Sequence, residues 1–429
     1  SAEHRGHDEE EDGDSAEGHG GGVSLVARAC RLVGALYEAT MPPRERRAAA
    51  TRYSPARMRG AILFNGNAET VEDLVRAAAP LLLSSRHEDP EVARSRRVLL
   101  VTAAWGEGEH NEGHVKRALN EIGLPSRFER GFDRSLINLS LLHEVRGLSQ
   151  SAPRLLAAWH EERRIAETAR AFYLEHNAHL IQLFRRTLAA GKREDANLTV
   201  ARLASDQGYH GAGGRLVRYT LSRELRHALD TLEANDDHLV DLLDEIEQRV
   251  FDAAGLAYDP AWRAAQQRLE RRILEANAII LFGGHLDLLL DALRFFRLRD
   301  VLAEALRRGT QIVAMSAGAM VLCERVIIYD DFSSQRRDFQ LYDRGLSLVR
   351  DIQLFPHCME RIQTDDADNL AYLARRFRHH ACVGLNQRSF LLFEPGSHRA
   401  VSIGEGDCVY VFDPEGRKIK YHRGEVIRM

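Results

Sequence analysis

The sequence has few of the features that mark membrane or secreted proteins. It contains only five cysteines among 429 residues, without a CxxC pair, which favours reduced thiols in a cytoplasm over a disulfide framework. No apolar run approaches the roughly 20 residues that cross a bilayer, and no signal peptide is apparent. The formal net charge is only -4, which gives no reason to expect nucleic acid or an anionic membrane as partner. These absences predict a cytoplasmic globular protein.

The first 22 residues form a region of their own. They carry eight carboxylates, one arginine and almost no apolar side chain. Such a segment cannot bury enough surface to offset the entropy lost on ordering. We therefore interpret residues 1–22 as a disordered acidic tail.

Two parts of the chain, 23–134 and 276–429, have the pattern of one α/β domain. Buried strands are predicted in "GAILFNGN", "RVLLVTAA", "AIILFGG" and "QIVAM", and amphipathic helices separate them. Continuous apolar strands alternating with helices are typical of a mostly parallel sheet with helices on both faces. The last thirty or so residues alternate in polarity instead, which predicts antiparallel strands.

A helical insertion is predicted over residues 135–275, where strand patterns are almost absent. One long helix is predicted to end at Gly191. A second, over 216–253, carries a leucine-rich heptad that only Asp236 interrupts. A heptad seam packs against another helix. Its partner is either the first long helix, across the connector "GYHGAGGR", or a second copy of the chain in a homodimer.

Ser316 is the first candidate for catalysis, because it ends a predicted parallel strand where a helix begins. Open α/β sheets bind ligands at that edge. In "MSAGAM" small residues surround Ser316, as a tight nucleophile turn requires. The backbone N–H groups of Ala317 and of the Gly283–Gly284 turn are candidate oxyanion donors. The alternative interpretation is that Ser316 only caps the helix.

Further motifs strengthen the catalytic interpretation. "LFPHCMERI" places His357 after another apolar strand, and "ACVGLNQRSFLLF" follows it. The order of "LFGG", "SAGA", "HxxER" and "VGL" resembles the cyanophycinase and peptidase E (aspartyl dipeptidase) family of serine peptidases. The resemblance covers roughly residues 58–134 and 276–415, and it implies a flavodoxin-like fold of the class I glutamine-amidotransferase type.

The resemblance also implies roles for individual residues. Ser316 would be the nucleophile and His357 the general base, with the backbones of Gly284 and Ala317 as the oxyanion hole. Arg361 matches the arginine of "HxxER", which would hold a substrate carboxylate by a bidentate contact. Acidic or Asp-containing substrates follow from the resemblance alone.

The chain departs from the family pattern at three places. Ala314 stands where the family usually has glycine. His285, which we predict to bind substrate, replaces an Asn or Gln beside the Gly–Gly turn. Asn386–Gln387 replaces an acidic pair. The third member of the triad is therefore either the neutral Gln387 or an acid elsewhere in the chain. Asp331 has a spacing from Ser316 that also occurs in peptidase E. Asp330 and Glu360 are further candidates.

Other motifs are weaker. His110 and His114, with Glu109 and Glu112, have chelating spacing, but the neighbouring glycines favour a helix entry, and we predict neither metal nor cofactor. Cys323 and Cys358 do not occupy the nucleophile position of a cysteine amidotransferase.

The sequence therefore predicts a serine hydrolase that cleaves a peptide or isopeptide bond in a peptide or small-molecule substrate. The alternative is a catalytically weak relative that serves as a binding or assembly module through its helical insertion. An α/β-hydrolase esterase is the least favoured interpretation, because "LFGG" does not belong to that fold.

Overall fold

The computed structural model describes residues 58–124, 136–204, 215–329, 339–404 and 409–428. The predicted acidic tail, the glycine-rich connector at 208–214, and both Asp330 and Asp331 lie outside these residues. Among the described residues, no helix is both long enough and apolar enough to cross a membrane.

Fourteen strands are present in the described residues. In chain order they are β1 (Ile62–Asn65), β2 (Val98–Val101), β3 (Leu136–Asn138), β4 (Ala278–Leu281), β5 (Gln311–Met315), β6 (Arg325–Tyr329), β7 (Phe339–Arg344), β8 (Ile352–Pro356), β9 (Ala381–Leu385), β10 (Ser389–Glu394), β11 (Arg399–Gly404), β12 (Val409–Phe412), β13 (Lys418–Tyr421) and β14 (Val426–Ile427).

Thirteen α-helices lie between these strands. They are α1 (Val71–Leu82), α2 (Pro90–Ser95), α3 (Gly113–Glu121), α4 (Leu141–Ser151), α5 (Pro153–Glu194), α6 (Val200–Ala204), α7 (Arg215–Ala254), α8 (Pro260–Leu274), α9 (Leu286–Phe295), α10 (Arg299–Arg308), α11 (Ala317–Met320), α12 (Cys358–Arg361) and α13 (Ala367–Arg376).

The main sheet has eight strands in the order β14-β11-β10-β1-β5-β4-β2-β3. Neighbours from β1 through β5, β4 and β2 to β3 are parallel, and β10, β11 and β14 extend the sheet antiparallel. A second sheet has the order β13-β12-β9-β8, and β6 with β7 forms a separate antiparallel pair. The predicted mostly parallel, flavodoxin-like sheet is confirmed, and so are the antiparallel strands near the C-terminus.

Both faces of the main sheet are buried, as the continuous apolar strands predicted. Along β1, Ile62 and Phe64 belong to one apolar cluster, whereas Leu63 belongs to the other. The second of these clusters includes side chains of α1 and α3, and the first includes side chains of α4, α8, α9 and α10. Helices therefore cover the sheet on both sides, and the carboxyl ends of β1, β4 and β5 meet at one edge.

The helical part of the chain begins after β3. This three-residue strand pairs in parallel with β2, so the sheet extends slightly past the predicted boundary at residue 135. The first long helix, α5, runs to Glu194 rather than ending at Gly191, which is buried within it.

The leucine heptad of α7 is buried within the chain. Leu225, Leu232 and Leu239 are at most 1% exposed, and α7 packs along α5. The intramolecular alternative therefore describes this seam. A homodimer through 216–253 stays a prediction, and it would need the outward face of α7.

Asp236, which interrupts the heptad, is fully buried and paired. Its two carboxylate oxygens accept from Arg376 of α13 at 2.9 and 2.7 Å, and one of them also accepts from the Tyr173 hydroxyl of α5 at 2.6 Å. Arg376 is itself fully buried. A buried charge needs a partner of this kind, so Asp236 links the insertion to the α/β domain.

Candidate active site

Ser316 lies at the end of β5 in a conformation that non-glycine residues rarely adopt. Its φ is 49° and its ψ is -114°. The Ser316 N–H donates to the Asn65 carbonyl at the end of β1, 3.0 Å away. Strain of this kind is typical of a nucleophile on a sharp strand-to-helix turn. The Ser316 side chain makes no capping hydrogen bond to α11, so the structure gives no support to the interpretation of Ser316 as a helix cap.

His357 is the nearest catalytic partner for Ser316. It follows β8 with a φ of 52°, and its Nε2 lies 3.3 Å from the Ser316 Oγ. This distance is slightly long for a hydrogen bond, as is common between a nucleophile and its base without substrate. The structure thus brings together the two residues predicted as nucleophile and general base.

The other ring nitrogen of His357 faces a carboxylate. Nδ1 lies 3.4 Å from the Glu360 Oε2, three residues along the chain on α12. The Glu360 side chain is 59% exposed, so water screens its charge. Glu360 nevertheless stands where an acid can orient the imidazole and favour the imidazolium.

Of the other predicted third members, Asp330 and Asp331 lie outside the described residues, and Gln387 makes a backbone contact. The backbone carbonyl of Gln387 accepts from the Asn65 amide at 3.0 Å, and this amide also donates to the Ser389 carbonyl. Asn386 is buried, and its Oδ1 accepts from the Met359 N–H at 2.9 Å. In this structure the Asn386 side chain therefore holds α12, the turn that follows His357.

The Gly283–Gly284 turn lies directly beside Ser316. A Cβ added to Gly283 would be 2.8 Å from the Ser316 Cβ and 3.4 Å from the Ala317 nitrogen. Gly284 has a φ of 140°, and a Cβ there would meet the Ala104 carbonyl oxygen at 2.3 Å. Only glycine fits either position. The structure thus places the Gly283–Gly284 turn next to Ser316 and Ala317, where the oxyanion hole is predicted.

The two predicted substrate-binding residues flank this arrangement. His285 is exposed and directly precedes α9, and its N–H donates to the Ala104 carbonyl at 2.7 Å. Arg361 is half-buried at the end of α12, where its N–H donates to the His357 carbonyl at 3.0 Å. Arg361 is therefore joined to His357 through the backbone, whereas His285 directly follows the Gly283–Gly284 turn in the chain.

The cysteines near the site are not poised as nucleophiles. Cys323 and Cys358 are fully buried, and burial raises the pKa of each thiol to about 12. A thiol with such a pKa is protonated near neutrality and is a poor nucleophile.

The histidines whose spacing would suit a chelate contact aromatic rings. His114 stacks on Trp105 with ring centroids 5.4 Å apart, and His110 meets the His143 ring edge-on at 5.6 Å. The Glu109 carboxylate accepts two backbone N–H groups at the start of α4. Within the part of the chain that the structure describes, no group of three or more potential ligands is arranged to hold a metal ion.

Sequence reasoning did not find the role of Asn65. This fully buried side chain joins the end of β1 to the turn between β9 and β10, while its carbonyl holds the Ser316 N–H. The polar residue that ends the apolar run "AILFN" was the available signal, because a buried amide needs specific partners.

A protein-family model matches the region of the chain that contains this site. Residues 245–401, which contain Ser316 and His357, match the model of peptidase family S51. A search of the curated proteins found no match to the chain. Among 14 matching chains of solved structures is a peptidase from an acI-B1 Actinobacterium, with a TM-score of 0.43 and 13% identity, covering 87% of this chain and 98% of that chain.

The family match is to S51 as a whole, and it spans β4 through β11, which hold most of the residues described above. This match confirms the resemblance to an S51 peptidase-like hydrolase over residues 245–401, which are the part of the chain that is similar to that family.

Proposed function

We propose that the protein is a serine peptidase that cleaves a peptide or isopeptide bond with Ser316 as nucleophile. The observation that carries the proposal is the 3.3 Å approach of the His357 Nε2 to the Ser316 Oγ, on a serine held at a φ of 49°. A nucleophile within reach of a base, which is in turn near an orienting group, is the arrangement that covalent catalysis requires.

In this mechanism Ser316 attacks the carbonyl carbon of the scissile bond while His357 accepts its proton. The negative charge that develops on the carbonyl oxygen is stabilised by the N–H groups of Gly284 and Ala317. His357 then donates the proton to the leaving amine, which leaves an acyl group on Ser316. Water, deprotonated by His357, releases the acid product. Glu360 orients the imidazole throughout.

We infer a substrate with an Asp residue at or near the cleaved bond, as in aspartyl dipeptides or β-linked Asp-Arg. The support is the family resemblance together with Arg361, whose backbone is bonded to His357. A guanidinium at this position would bind a carboxylate with two parallel hydrogen bonds. We also infer a reducing, cytoplasmic location, because Cys323, Cys358 and Cys382 are free and buried.

The test is hydrolysis of a panel of Asp-containing dipeptides and β-linked Asp-Arg by the wild type and by Ser316→Ala. We expect cleavage by the wild type and a loss of at least about a thousandfold in the variant. Ser95→Ala, an exposed serine at the end of α2, is the matched control and should retain full activity.

A second candidate function is a binding or assembly module of low catalytic power. The neutral Asn386, at the position of a family acid, is the observation that favours it. Labelling with a fluorophosphonate, followed by mass spectrometry of the Ser316 peptide, separates the two functions without a known substrate. A Ser316 that does not react at any pH between 6 and 9 would support the module and overturn the peptidase.

A further inference from the structure

The helix α9 connects the helical insertion to the oxyanion side of the proposed site. It begins one residue after His285, so its first turn continues directly from Gly283 and Gly284. On one side this turn is held by Ala104, which accepts the His285 N–H. Any displacement of α9 along its axis would therefore move the Gly284 N–H relative to Ser316.

The insertion contacts the far end of α9 through aromatic side chains. Phe295, near the end of the helix, has ring centroids 5.7 Å from Trp159 of α5 and 5.7 Å from Phe251 of α7. The Phe295 carbonyl accepts a hydrogen bond from the indole N–H of Trp262, on α8 of the insertion, at 3.2 Å. Both long helices of the insertion thus pack against the same end of α9.

The next contact along α9 is ionic. Arg294 donates to Asp244 at 2.8 Å and to Glu247 at 2.6 Å, both on α7, and to Asp343 of β7 at 2.6 Å. The Arg294 side chain is only 16% exposed. Partly buried, multiply bonded guanidinium groups fix geometry more strongly than exposed pairs do.

Arg163 of α5 makes the contact nearest to the oxyanion turn. Its Nε lies 2.7 Å from the Asp291 carboxylate, and its Nη2 lies 3.5 Å from that of Asp287, one helical turn closer to Gly284. Its guanidinium also lies over the Trp159 ring, 5.3 Å from the centroid. Asp287 is in the first turn of α9, three residues after Gly284.

On the basis of the serine peptidase mechanism proposed above, we propose that Arg163 is a positioning residue for the oxyanion hole. By joining the carboxylates of Asp287 and Asp291, it fixes the first turn of α9 and with it the Gly284 N–H. The helical insertion then contributes to catalysis by positioning α9, although it supplies none of the reacting groups.

The experiment measures the inactivation of the full chain by a fluorophosphonate, whose phosphoryl oxygen occupies the oxyanion hole. Arg163→Gln is compared with Arg164→Gln, the next residue of α5, which pairs with Glu161 of its own helix. We expect the maximal inactivation rate to fall about tenfold in Arg163→Gln. Removing an oxyanion donor altogether lowers the rate by about a hundredfold or more, and a displaced donor keeps part of its effect. The concentration of probe at half-maximal rate and the pH midpoint should not change, since His357 is untouched.

Arg163→Lys separates positioning from folding. Lysine keeps an ion pair with Asp291 but cannot join two carboxylates as a guanidinium does. We expect it to melt within a few degrees of the wild type yet react severalfold more slowly. A wild-type rate in both Arg163 variants would overturn this inference while leaving the peptidase proposal intact. Absence of labelling in the wild type would instead overturn the peptidase proposal.

Discussion

The edge of the sheet that carries Ser316 and the seam between the insertion and the α/β domain use opposite kinds of side chain. The edge is built from neutral amides and glycines, such as Asn65, Asn386, Gly283 and Gly284. Glu360, a carboxylate that the described residues place next to the base, is largely exposed.

The seam, in contrast, is rich in charges that are removed from water. It contains the fully buried pair of Asp236 and Arg376, and the cluster around Arg294 and Asp343. Burying charge is costly unless each charge is paired. Backbone and amide contacts therefore fix the positions of the residues at the reactive edge, whereas the buried charges mainly fix the position of the insertion on the sheet.

The largest effect is expected at the buried pair of the seam. Asp236→Ala leaves the Arg376 guanidinium buried without its carboxylate, so we expect a loss of about 3–5 kcal/mol in the free energy of unfolding. Urea denaturation measures this loss. Asp230→Ala on the same helix is the matched control, because Asp230 and its partner Arg378 are both more than half exposed; it should cost less than about 1 kcal/mol.

The double variant Asp236→Leu with Arg376→Met tests the same contrast from the other side. Replacing both charges by apolar groups leaves no orphan charge and is often neutral or stabilising. We expect it to recover most of the stability lost by Asp236→Ala. If Asp236→Ala is as stable as the wild type, the buried charges at the seam do not contribute to stability, and the contrast between the seam and the sheet edge is wrong.

A second effect at the seam depends on pH. Burial, together with the charges of Asp291 and Glu247, raises the pKa of Glu162 from 4.5 to about 7. Burial likewise raises the pKa of Asp291 from 3.8 to about 6, against the favourable charge of Arg163. A raised carboxyl pKa contributes stability that is complete below the unfolded-state pKa and is lost as pH rises through the folded-state value.

Glu162→Gln removes this titration while keeping the size of the side chain. Because glutamine is neutral at every pH, we expect the variant to be more stable than the wild type at pH 8, by about 3 kcal/mol. The difference should shrink to near zero at pH 4.5. Thermal unfolding across this range measures it, with the exposed Glu161→Gln as control. A difference in stability between variant and wild type that does not change with pH would show that Glu162 does not titrate as described.

The sheet was predictable because its signals are local. Apolar runs such as "AIILF" and "QIVAM" are confirmed as β4 and β5, and small residues around Ser316 pointed to a tight turn at the right strand end. The heptad likewise indicated a buried seam on α7. β3 was missed because three residues are too few for a periodic pattern.

The contacts of the site and of the seam were harder to predict, because the residues that make them are distant in sequence or lie on a short turn. Asp236 was visible as a break in the heptad, but nothing near it indicates Arg376, 140 residues away. Glu360 was only one candidate acid among several, since its approach to His357 depends on the left-handed φ of the histidine and on a four-residue helix. Periodicity does not predict such a turn.

The smallest effect is expected at Glu360. A buried acid in a serine-protease triad is worth about ten thousandfold in rate, but an exposed ion pair contributes less than about 1 kcal/mol. We therefore expect Glu360→Gln to lower the Ser316-dependent rate by only about three- to tenfold, in hydrolysis or in fluorophosphonate labelling. Asp365→Asn, an exposed carboxylate paired with Lys418, should leave the rate unchanged. A loss of a hundredfold or more would show that Glu360 is desolvated when substrate binds. An unchanged rate would mean that the backbone and the Asn386 contact to α12 suffice to orient His357. The catalytic base would then be positioned by neutral groups, like the rest of the sheet edge and unlike the charged seam.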